Sequence, residues 1–269
     1  MAKRLSIINL FSVLLVIVIN YLSQIKLFNH TTIGEISKKY DNLFTPADYA
    51  FSIWGIIFLS LLGYCFFQIK RAFNDKKSKD FIVSTGYWFT TANILNALWV
   101  LAFVFDLTGL SVLIMFVLLY SLIKIVLNTN MENWDAPIEI IAFVWWPICL
   151  YSGWIAVASI ANVSAYLTKL DWQGFMVTEE NWTIIMIAVA LCVNLLMIWR
   201  RNMREFAAVG IWAFFAIYMR HRMEYPTIAN VALTSAIILV VTTLIHGYQN
   251  RDTNPFKKWQ QRQKGKSTS

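Results

Sequence analysis

Long apolar runs separated by short polar segments fill this chain almost from end to end. Eight of them reach or approach the ~20 residues that cross ~30 Å of hydrocarbon at a rise of ~1.5 Å per residue. They lie at about 5–25, 48–69, 82–105, 108–127, 139–167, 182–200, 204–220 and 227–248, the seventh being the shortest. The pattern predicts an all-α integral membrane protein of about eight transmembrane helices. Polar residues inside the runs are few, and their spacing is helical. In residues 142–167, Trp154, Ala158 and Asn162 recur every four positions, with Tyr151 one turn before Trp154 on the same side. Lipid makes no use of an amide, so this stripe is expected to face protein or a ligand.

Two other runs carry comparable faces. In the second, Trp54, Phe58, Leu61 and Cys65 share one side. In the third, Asn93, Asn96 and Trp99 stand three residues apart. An amide in hydrocarbon is costly unless hydrogen-bonded, so Asn96 should point into the bundle. Taken singly, Asn93, Asn96 and Asn162 read as interhelical glue worth ~0.6–2 kcal/mol each. Taken with Trp54, Trp99 and Trp154, they outline a shared pocket. The chain has 12 tryptophans. Trp134, Trp172, Trp182, Trp199 and Trp259 fall near span ends, where an aromatic belt is expected. Trp54, Trp99, Trp145, Trp146, Trp154 and Trp212 lie deeper, where indoles fill core or form flat walls for planar ligands.

Composition agrees with the pattern: 58% of residues are hydrophobic and 14% charged, against ~25% charged in soluble domains. The net charge of +8 does not indicate nucleic acid, because the basic residues gather at span ends, where they select topology. With a cytoplasmic N-terminus, the inner side takes Lys3, Arg4, Lys70, Arg71, Lys76, Lys77, Lys79, Lys124, Arg200, Arg201 and Arg204. A polar, basic tail at 250–269, expected to be disordered, adds six more. Both termini are therefore expected in the cytoplasm, the membrane being a bacterial plasma membrane. Arg220, His221 and Arg222 break the rule by falling outside. A tolerated exception, a re-entrant seventh span, or charges that bind something at the outer interface would each account for them.

The remaining signals are bland. Cys65, Cys149 and Cys192 sit in apolar runs, match no zinc or redox spacing and read as buried free thiols. The first run lacks a small-residue cleavage site and is expected to be a retained helix. The connection 26–47 ends with Pro46, and Asp48 is positioned to cap the second helix. His30, His221 and His246 pair with no acid or cysteine at metal spacing, and neither a phosphate loop nor a serine elbow is present. His246 could ligate a haem iron or, more simply, end a helix. No catalytic and no metal-binding residue is assigned.

These motifs together resemble a known family. Pro46 eight before Trp54, followed by Gly63 and Tyr64, is similar to the second-helix signature of the TspO/MBR family, the tryptophan-rich sensory or translocator proteins. Asn96 three before Trp99 resembles its third-helix motif, and Tyr151, Trp154, Ala158 and Asn162 its fifth. The quoted motifs lie within residues 5–167. The resemblance implies a five-helix transmembrane bundle over 1–167, followed by a further three-helix segment at 168–249 and the tail. It also implies an intramembrane aromatic pocket beneath the first loop. The ligand would be a planar hydrophobic molecule, a tetrapyrrole such as porphyrin or haem, or a sterol-like lipid, bound for sensing or transport. The implied ligand-binding residues are Trp54, Phe58, Asn96, Trp99, Tyr151, Trp154, Ala158 and Asn162. No cofactor is required, porphyrin or haem entering only as ligand. The partners are that ligand and the lipid bilayer, and a homodimer is left open. Two departures stand out: the fourth span offers no tryptophan, and Ser52 replaces a second proline near Trp54. The alternative function is a secondary transporter for another small molecule, although acids and bases cluster at span ends rather than at midplane.

Overall fold

A computed structural model describes residues 1–74, 78–172 and 174–251. Lys76, Lys77 and the tail from 252, including Trp259, fall outside the described residues. The elements are α1 (Ala2–Gln24), α2 (Ile33–Lys39), a 3-10 turn (Asp48–Ser52) running into α3 (Ile53–Ala72), α4 (Asp80–Thr85), α5 (Trp88–Val104), α6 (Thr108–Asn128), α7 (Ile138–Ile140), a π-helical stretch (Ile141–Trp145) running into α8 (Trp146–Lys169), α9 (Glu179–Arg201), α10 (Arg204–His221) and α11 (Pro226–Gln249). All are helical, and among the described residues no strand occurs. Eight passes result, each within a few residues of its predicted place.

Two of the passes depart from a simple rod. The third run splits at Gly86, whose φ of +57° and ψ of −139° suit only a residue without Cβ. What was expected as one helix is therefore a short α4 and a 17-residue α5. The seventh run is not re-entrant. Its α10 is one continuous helix of 18 residues, about 27 Å long at ~1.5 Å per residue. In the fifth run, Pro147 lies at the start of α8 and has no N–H to give to the preceding turn. The π-helical turn immediately before it absorbs that missing bond.

The outward faces are those of a membrane protein. Phe11, Leu15, Leu59, Phe66, Leu113, Phe116, Leu196 and Leu244 are exposed. In water such a surface would aggregate, whereas in lipid it is solvated. Six helices are long and apolar enough to span a membrane. In α7–α8, 72% of the apolar stretch is buried, against at most 39% in the other five. The fifth run is thus the central post, with α3, α6 and α10 packed around it. Of the cysteines, Cys65 and Cys149 are buried as expected, but Cys192 is exposed. An uncharged thiol is tolerated by lipid nearly as well as by core.

The last three helices share core with the first five. Met203, the N-cap of α10, and Phe206 and Val209 within it join the main apolar cluster around Tyr151, Trp154 and Ile155. At the α8–α10 crossing Gly153 lies under the other backbone: a Cβ there would meet Phe206 O at 3.0 Å. Small residues at such crossings let dispersion contacts accumulate where no hydrophobic effect exists.

The start of α1 and the end of α11 lie at one end of the bundle. Ala2 and Leu5 pack with Ala72 and Ile82, Arg71 approaches Glu139 at 3.9 Å, and His246 bonds Asn202 at the α9–α10 junction. The connection 26–47 lies at the opposite end.

Candidate functional site

The first connection is tied down at three places. Thr32 and Glu35 form a capping box at the start of α2. Lys39 and Tyr40 both donate to Asp106, at 2.6 and 2.8 Å, and Lys169 reaches the same carboxylate at 2.9 Å. Burial would raise the Asp106 pKa, but these three donors outweigh it and hold it down at about 2. The third tie comes from α10. Arg220 donates to Asn42 O at 3.2 Å and Thr45 O at 2.7 Å and pairs with Asp41, while His221 Nε2 lies 2.9 Å from Leu43 O. Two of the three residues that broke the charge rule are therefore accounted for: they grip the first connection. Asp48 does not cap the second helix as expected. No side-chain bond reaches that helix start, and the carboxylate pairs instead with Lys38.

Beneath this connection is a cavity of about 40 Å³. Its walls come from α3 (Trp54), α5 (Trp99, Phe103) and α8 (Trp154, Val157, Ala158, Ala161, Asn162, Ala165), with Phe51 from the 3-10 turn. Ile33, Ser37, Thr45 and Pro46 roof it. Five of the eight residues singled out in the sequence thus line one space. Trp99 Nε1 donates to Asn162 Oδ1 at 3.1 Å, and Asn162 Nδ2 donates to Ser111 Oγ at 3.0 Å. α6 therefore supports the cavity through Ser111 behind Asn162, without an aromatic wall of its own. Phe51 meets Trp154 edge-on at 5.9 Å.

The other three candidates sit elsewhere. Asn96 and Tyr151 are wholly buried and form a pair, Asn96 Nδ2 donating to the phenol oxygen at 3.0 Å. Tyr151 touches the site through Trp54, which lies edge-on to it at 6.1 Å. Asn96 Oδ1 is buried without a hydrogen-bond partner. Asn93 is also wholly buried and bonds Ser12 on α1 at 3.1 Å. Phe58 stacks on Trp54 at 5.1 Å and faces a second, more open groove of about 580 Å³ between α1, α2 and α3. Ile33, Phe51 and Trp54 border both spaces and form the partition between them.

Several wall residues were missed in the sequence. Phe103 is one turn past Trp99, and Ala161 and Ala165 continue the face of Ala158, so helical spacing could have found them. The roof residues carry no periodic signal.

No match was found among curated proteins or among solved structures. A family model described as TSPO-like protein does match, over residues 6–245. The match runs through all eight passes and includes every residue of the cavity wall. With its membrane-spanning helices and an aromatic cavity under the first connection, this chain belongs to the TSPO-like protein family.

Proposed function

We propose that this membrane protein binds a planar hydrophobic molecule between α3, α5 and α8, for sensing or transport. A tetrapyrrole such as porphyrin or haem, or a sterol-like lipid, fits the chemistry. The observation that carries the reading is the convergence of Trp54, Trp99 and Trp154, from three helices, on one space with Ala158 and Asn162. Indole faces suit a flat aromatic ligand, Ala158 leaves room, and the Asn162 amide is at hand for a polar substituent.

The cavity of about 40 Å³ is too small for such a ligand; sites for drug-sized molecules run ~300–1,000 Å³. The adjoining groove of about 580 Å³ falls in that range. Ligand entry therefore requires the Ile33–Phe51–Trp54 partition to move so that the two spaces merge. Trp54 is only half-buried and is suited to swing. The basic residues at the terminal end support a cytoplasmic position for that end, with the roofed cavity on the outer side. No step of this reading calls for catalysis or a resident cofactor.

The test is titration of the purified protein in detergent with protoporphyrin IX, followed by tryptophan quenching and by the porphyrin absorbance shift. Saturable binding that weakens in Trp54→Ala and Trp154→Ala is expected. Absence of saturation, or binding indifferent to both substitutions, overturns the proposal.

A further inference from the structure

At the terminal end, remote from the aromatic cavity, the fold brings together three side chains that are far apart in sequence. Glu132 comes from the connection after α6, Cys149 from the first turn of α8 and Glu205 from the first turn of α10. Their carboxylate oxygens and sulfur lie within 4.8 Å of one another. Glu132 and Glu205 also line a cavity of about 260 Å³ with Asp135, Ile141, Trp145, Asn202, Arg204 and His246. We propose that Glu132, Cys149 and Glu205 bind a divalent transition-metal ion, zinc being the best match to this donor set.

The geometry is close to what a metal requires. Zinc bonds oxygen at ~2.0–2.2 Å and thiolate at ~2.3 Å, which puts tetrahedral donors roughly 3.6 Å apart. Side-chain rotation of about 1 Å closes the difference. A hard cation such as magnesium would leave the sulfur unused, whereas zinc takes both oxygen and sulfur. Arg204 in the wall acts on Glu205 and offsets part of its charge. Two carboxylates and a thiol then face each other in a site largely removed from water, and a divalent ion offsets that charge. On binding, the Cys149 thiol becomes a thiolate and its proton leaves to solvent.

Independent features of the same cavity also point to a ligand. Beyond an interaction of the Glu205 carboxyl with the Trp146 indole, its buried Oε2 has no hydrogen-bond partner. His246 is only 3% exposed, and its Nδ1 is likewise buried and unpartnered. Its Nε2 lies 3.1 Å from Asn202 Oδ1 and 3.2 Å from Asn250 Nδ2. In the tautomer that gives the Nε2 proton to Asn202, Nδ1 presents a lone pair, the arrangement common to oriented metal-binding histidines. His246 stands outside the group of donors within 4.8 Å of one another, so its place is to hold a metal-bound water rather than to ligate the ion. The π-helical stretch Ile141–Trp145 adjoins the site and contributes Ile141 and Trp145 to its wall. Such stretches recur at functional positions.

The experiment uses the full-length protein in detergent, stripped with chelator and titrated with Co²⁺ as a spectroscopic probe. A thiolate-to-cobalt charge-transfer band saturating at a single ion per chain, and bleached by Zn²⁺, is expected. Cys149→Ser should abolish the band, while Cys65→Ser and Cys192→Ser leave it intact. Glu205→Gln and Glu132→Gln should each weaken Co²⁺ binding by roughly tenfold or more. Size-exclusion profiles of the metal-free variants establish that they are folded, and two carboxylate variants guard against the loss of one. No band in the native protein, a band that survives Cys149→Ser, or a band that depends on Cys192 overturns the proposal. Because the aromatic cavity is at the other end, porphyrin binding by these variants reports separately on that site.

Discussion

The contact between α8 and α10 at Gly153 gives a sharp test of how the last three helices are joined to the first five. In Gly153→Ala the new Cβ would lie 3.0 Å from Phe206 O, 3.1 Å from Val209 Cβ and 3.3 Å from Phe206 Cα. Ordinary contact begins near 3.4 Å, and two of these three atoms are backbone, which cannot rotate aside. The helices must therefore part by a few tenths of an ångström along a tightly packed crossing. Overpacking of this kind costs about 1–3 kcal/mol. Alanine also gains up to about 1 kcal/mol of helix propensity over glycine, which masks part of the loss. Gly55→Ala supplies the reference, since a Cβ there meets nothing within 4 Å. The propensity gain is common to both, so the difference between the two variants isolates the steric term of about 1–3 kcal/mol. Unfolding in detergent, driven by heat or by sodium dodecyl sulfate and followed by tryptophan fluorescence, measures it. If Gly153→Ala proves as stable as Gly55→Ala, the close approach of α8 and α10 is wrong.

Three further outcomes are expected. Arg220→Gln removes charged bonds to Asn42 O and Thr45 O, each class worth about 1.5–3 kcal/mol. Hydrogen exchange and protease cutting across 41–47 should rise, and unchanged protection refutes the grip. The Asp106 pKa is lowered from 3.8 to about 2. Its contribution is therefore complete above about pH 4 and is lost as pH falls through 4 toward 2. Asp106→Asn should flatten that part of the acid-unfolding profile, and an unaltered profile counts against the Lys39–Tyr40–Lys169 cluster. Asn162→Leu strands the Trp99 indole and removes one bond of Ser111, whose hydroxyl keeps Thr108 O, and should cost about 0.6–1.7 kcal/mol in detergent unfolding. No loss there means that the amide is not a structural tie.

How much of this was legible beforehand depends on the range of the signal. Runs of apolar residues, set against the thickness of a bilayer, determine eight helical passes and their order, because hydrocarbon forces every backbone polar group to be satisfied within its own helix. Four-residue spacing likewise determines that Trp154, Ala158 and Asn162 share a face, and three-residue spacing does the same for Asn96 and Trp99. Which faces meet is a different matter. Asn96 and Tyr151, expected among the ligand-binding residues, form a buried pair behind Trp54, because the rotation of each helix about its axis is set by all its neighbours together. Arg220 and His221 looked misplaced until the fold laid residues 41–45 against them. Glu132, Cys149 and Glu205 have no sequence spacing to betray them, since a connection and two helix starts bring them together only in three dimensions. Local periodicity fixes what each helix offers. Packing between helices decides what those offers become, because contacts distant along the chain leave no periodic mark in it.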